Sequence, residues 1–93
     1  MDKKIACEVA QTCLLYLMQD MEEFSRFVNI TGIDADHIRG KINNPDFLRG
    51  VLEYILNWEP LLTAIATEHS VTENDFKKAY HSLMGGIVEY QST

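Results

Sequence analysis

The chain has 93 residues, 46% of them hydrophobic, with eight Lys and Arg against fourteen Asp and Glu and a formal net charge of −6. That length supports one domain with one core, and the composition excludes a disordered chain. No apolar run approaches the roughly 20 residues that cross a bilayer, and Met1-Asp2-Lys3-Lys4 leads directly into a patterned helix without a secretory leader, so a cytoplasmic location is expected.

The first helix is expected over about residues 2–19, with Ile5, Val9, Cys13, Tyr16 and Leu17 as its apolar stripe and CLLYLM central to the core. A second helix starts at Asp20, where Glu23 completes a capping box, and buries Phe24, Phe27 and Val28 before Gly32 ends it in a left-handed turn. Asp34 caps a short third helix that carries Ile38 and Ile42 and is weakened by Gly40. Asn44 and Pro45 open a fourth, burying Leu48, Val51, Leu52 and Ile55, because Asn caps a helix and Pro fits its first turn. Trp58-Glu59-Pro60 marks the next boundary, after which Leu61, Leu62, Ile65 and Ala66 share one face of a fifth helix. Thr72 with Asp75 caps a sixth, which buries Phe76, Ala79, Tyr80 and Leu83 and stops at Gly85-Gly86. The class is therefore all-α: a compact bundle of five to six short helices over residues 1–86, followed by a tail at 87–93.

Shifting the chain by 38 residues lays the first three helices on the last three without a gap. Leu14 meets Leu52, Leu17 meets Ile55, Phe27 meets Ile65, Ile38 meets Phe76, and the caps Asp34 and Thr72 coincide. Two pseudo-repeated three-helix units are expected from this, closed on each other and not extended as a solenoid.

Phe24 to Gly40 has the outline of a helix-turn-helix, which raises the question of nucleic acid. The candidate reading helix offers Asp36, His37, Arg39 and Lys41, a nearly neutral set, and Lys77 and Lys78 sit late in the last helix, where cations suit the helix dipole. Nucleic acid is disfavoured as a partner, because duplex binding needs clustered bases that displace counterions. Ten of the fourteen acids lie at or near expected helix starts, so helix capping explains most of the negative charge.

Chemistry-bearing patterns are sparse. Cys7 and Cys13 point about 240° apart and lie roughly 9 Å apart along one helix, too far for a disulfide within it. His37, His69 and His81 form no i,i+3 or i,i+4 pair, and there is no phosphate loop, nucleophile elbow or H-E-x-x-H. No catalytic, cofactor or metal residue is assigned, and no cofactor is expected. What stands out is Trp58, which occupies the position where the sister unit has Asp20; tryptophan and tyrosine anchor many interfaces. Trp58, Tyr54, Ile87, Val88 and Tyr90 are the candidate partner-binding residues.

RFVNITGIDADHIRG (26–40), NPDFLRGVLEYIL (44–56) and LLTAIA (61–66) together resemble a family of short alphaproteobacterial proteins, domain-of-unknown-function family 3572. Asn44 stands where the family has an acid and keeps the cap, whereas Trp58 and Pro60 depart from its usual junction. The resemblance implies a compact helical bundle and transfers no catalytic residue. The functional expectation is a non-catalytic protein-interaction module, with an unidentified protein or a second copy as partner. The alternatives are a nucleic-acid-binding helix-turn-helix protein and a small enzyme or metal site around the histidines.

Overall fold

The computed structural model describes residues 1–84. Five α-helices, α1 (Lys3–Gln19), α2 (Met21–Thr31), α3 (Pro45–Leu56), α4 (Glu59–His69) and α5 (Glu73–Ser82), are joined by short turns, and a 3-10 helix, Ala35–Lys41, stands between α2 and α3. The described residues form no strand. The caps are set by local side chains. The Asn44 amide oxygen accepts from the Asp46 and Phe47 N–H groups, and Asp20 accepts from those of Glu22 and Glu23. Thr72 and Asp75 form a reciprocal capping box.

Expectation and structure differ at four places. In α1 the fully buried face is Ala6, Ala10, Cys13, Leu14 and Leu17, while Ile5 is 48% and Leu15 52% exposed. The two alanines let α1 sit close against α3 and α5, and that close approach selects the face over the bulkier Ile5. The third helix is 3-10 over seven residues, too short to gain from α-helical propagation. Phe24, Val28 and Tyr80 pack against the core but are only half-buried. The Glu23 carboxylate does not complete a capping box; its Oε1 is buried without a hydrogen-bond partner. The expected stop at Gly85-Gly86 lies outside the described residues.

The 38-residue offset recurs in the backbone. α2 and α4 each span eleven residues at that displacement, and the offset also pairs their left-handed caps, Gly32 (φ 73°) and Ser70 (φ 56°). Residues Ala10, Cys13, Leu14, Leu17, Phe27 and Ile38 are buried, and so is the mate of each: Leu48, Val51, Leu52, Ile55, Ile65 and Phe76. α1 and α3 are thus equivalent helices packed on each other at the centre, with α2 on α1, α4 on α3, and α5 across both. A cross-link invisible to periodicity pins the turn before α3: Gln11 Nε2 donates to the Ile42 carbonyl at 2.9 Å and to Asn43 Oδ1 at 3.0 Å.

Candidate functional site

α2 and α3 do not pack backbone to backbone; large aromatic side chains bridge them. The Phe27 ring meets Phe47 edge-on at 6.4 Å and Tyr54 at 5.1 Å. Rings of that size hold the two helices apart above the core and leave a groove along their seam. One part of it, about 370 Å³, is lined by Arg26, Ile30 and Thr31 of α2 and by Gly50, Glu53, Tyr54, Asn57 and Trp58. A second part, about 310 Å³, lies between Phe27, Thr31, Ile33, Lys41, Phe47 and Gly50. Thr31 and Gly50 border both, so the two parts meet there.

Two residues of this wall run against local helix rules. Gly50 sits in the interior of α3, where glycine costs about 0.5–1 kcal/mol relative to alanine. A Cβ placed on it would meet nothing within 4 Å, so no crowding inside the fold requires the glycine. Trp58 occupies the N-cap of α4 and makes no side-chain cap hydrogen bond, whereas its repeat-mate Asp20 caps α2. A missing cap costs roughly 0.5–2 kcal/mol.

The polar groups here are also under-used. The Arg26 guanidinium carbon lies 3.7 Å from the Trp58 ring centroid, a cation–π contact. Tyr54 is only 8% exposed, and its hydroxyl and the Trp58 indole N–H are both buried without a hydrogen-bond partner. Burial raises the Tyr54 phenol above its ordinary range; the Arg26 guanidinium opposes this, by its charge and by lying near enough to the hydroxyl to hydrogen-bond after a small shift, and the Glu23 charge adds to it. At the rim, Tyr80 donates its hydroxyl proton to Glu53 Oε1 at 3.2 Å.

Of the sequence candidates, Tyr54 and Trp58 therefore share one wall, while Ile87, Val88 and Tyr90 lie outside the described residues. Arg26, Gly50, Glu53 and Asn57 were not anticipated; only Gly50, a glycine inside a helical pattern, carried a signal in the sequence. The histidines stand apart. His37 is 3.7 Å from Asp34, His69 is 3.4 Å from Glu68, and His81 lies against Tyr80 at 5.7 Å. Among the described residues no group of three His, Cys, Asp or Glu could hold a metal ion. The helix-turn-helix outline resolves into α2 and a 3-10 helix with Asp34 and Asp36 at its start, and Lys77 is paired with Glu73 at 3.2 Å. None of the helices described is long and apolar enough to cross a membrane.

The model of DUF3572, described as a protein of unknown function, matches residues 3–86. The chain belongs to this family. The DUF3572 match covers every helix described above. No curated protein and no solved structure matches the chain significantly.

Proposed function

We propose that this DUF3572 chain is a non-catalytic protein-interaction module and that its docking surface is the α2/α3 groove. One observation carries the reading: two residues that run against local helix rules, the interior glycine Gly50 and the N-cap Trp58, which makes no capping hydrogen bond, line the same cavity. Departures from local helix rules gather where function competes with stability. An aromatic–arginine pair beside an apolar groove is also the composition of interface hot spots. A second copy of the chain is one candidate partner, the tail residues Ile87, Val88 and Tyr90 are further candidates for partner binding, and the cytoplasm is its proposed setting. Nucleic acid fits poorly, because Arg39 and Lys41 lie on a 3-10 helix with Asp34 at its N-cap and Asp36 in its first turn.

Affinity capture from native lysate with wild type and Trp58→Ala tests the reading, with circular dichroism to verify that the variant is folded. A partner retained by wild type and lost by the folded variant is the expected result. Identical capture by both removes Trp58 from the docking surface, and an unchanged result after deletion of 87–93 removes the tail.

A further inference from the structure

The 38-residue offset relates grooves as well as helices. A groove of about 230 Å³ lies between α1 and the end of α4 with the turn that follows it. On its α1 side Glu8, Val9, Thr12 and Cys13 stand 38 residues before Asp46, Phe47, Gly50 and Val51; opposite, Ile65, His69 and Val71 stand 38 after Phe27, Thr31 and Ile33. All of those mates line one part of the α2/α3 groove, so the fold carries the same groove twice. The copies are filled differently. Where the rings of Phe27 and Phe47 hold α2 and α3 apart, their mates Ile65 and Val9 are aliphatic and the space is smaller. It suits side chains of an extended segment and not a helix, whose body is about 10–12 Å across.

One end of this second groove is apolar and uncovered. Ile5 lines it and is 48% exposed, and Met1, four residues earlier, is 46% exposed. The chain leaves α5 at that same end, where the Ser82 hydroxyl donates to the Met1 carbonyl. Residues 85–93, GGIVEYQST, follow from there. Two glycines allow the chain to reverse. Four extended residues, 87–90, span about 13 Å, which matches the rise of about 10 Å along α1 from Ile5 to Thr12. Alternation sets Val88 and Tyr90 on one side of such a run and Glu89 on the other, away from Glu8. A segment tethered this closely meets the groove at an effective concentration on the order of millimolar, ahead of a free partner that makes comparable contacts.

We infer that the groove between α1 and α4 is occupied by the chain's own tail, with Val88 and Tyr90 as its anchors. This goes beyond the interaction reading, which concerns the sister groove, and gives the two residues an intramolecular role in the free chain.

The test is nuclear Overhauser spectroscopy on the isotope-labelled full chain, with a mixture of labelled and unlabelled copies to separate contacts within a chain from those between chains. Cross-peaks are expected within one chain from Val88 and Tyr90 to Ile5, Val9 and Val71. Ile5→Glu, at a half-exposed position and with its fold verified by circular dichroism, should abolish them. Val88→Asp leaves the body of the protein untouched and should shift the amide resonances of Ile5, Val9, Thr12 and Val71 while those of Phe27, Phe47 and Gly50 stay in place. A tail without cross-peaks to α1 or α4, cross-peaks to Phe27 and Phe47 instead, contacts found only between chains, or cross-peaks that survive Ile5→Glu would each overturn the inference. Partner capture with Trp58→Ala is read separately, so either proposal can fail alone.

Discussion

Gly50→Ala separates what the fold needs from what the groove needs. Gly50 lies in the interior of α3, exposed, with no atom within 4 Å of a Cβ added there. The new methyl group therefore enters solvent, creates no clash and buries no appreciable area, so helix propensity alone sets the change. Alanine is better than glycine in a helix interior by about 0.8–1 kcal/mol in host–guest measurements. Allowing for context, the variant is expected to be more stable by about 0.5–1 kcal/mol. For a domain of this size 1 kcal/mol moves the melting temperature by about 4–8 °C, so the midpoint should rise by roughly 2–8 °C. Urea titration followed by far-UV circular dichroism measures the same gain, with an unchanged denaturant slope. A loss of stability would refute the reasoning, because it would mean that the Cβ meets something and the groove is not open at Gly50. A gain in stability together with weaker partner capture is the trade-off expected of a residue kept for its surface.

Ser70→Gly should also stabilise. Serine holds φ 56° at the end of α4, a left-handed conformation costing roughly 1–2 kcal/mol, and the unfolded-state entropy of glycine returns part of the gain, leaving about 0.5–1 kcal/mol in a thermal melt. Asp75 gives a pH signature. The Thr72 backbone N–H, and after it the Thr72 hydroxyl, hold its carboxyl below the ordinary range. A depressed folded pKa stabilises above the unfolded value near 3.9 and loses that contribution as pH falls through the folded value. The stability difference between wild type and Asp75→Asn should therefore hold from neutrality to about pH 4 and shrink below it; a difference that grows in acid would contradict the cap. Burial pushes the Cys13 thiol up to about 12, so iodoacetamide should label it only through unfolding, and rapid labelling in native buffer, read by mass spectrometry, would show the core to be open there.

Local chemistry was legible in the sequence and tertiary choice was not. Asn44-Pro45, Thr72 with Asp75, and Gly32 mark helix ends because a cap is made by residues two or three positions away. The buried face of α1 is a different kind of information. With apolar residues on most sides of that helix, periodicity leaves the phase open, and the close approach allowed by Ala6 and Ala10 decides it. Ser70 gave no left-handed signal of its own, since serine seldom adopts that conformation. At the site, Trp58 was conspicuous against its repeat-mate, yet its partner Arg26 lies on another helix and is brought to it only by the separation of α2 from α3. Gly50 was visible as a glycine, but its meaning depends on the empty space around it.

The way the two units interlock bears on how the molecule comes apart. α1, from the first unit, packs on α3 and α5 of the second, so the largest apolar contacts cross from one half of the chain to the other. Cut in the turn between the 3-10 helix and α3, the first fragment keeps only α2 against α1 and the second keeps α4 and α5 against α3, so both lose the central interface of α1 with α3 and α5. The first fragment alone is therefore expected to be a loose pair of helices, and mixing it with the second is expected to restore the core. A protein written as two similar halves is thus expected to melt in a single step, with its halves reassembling by complementation.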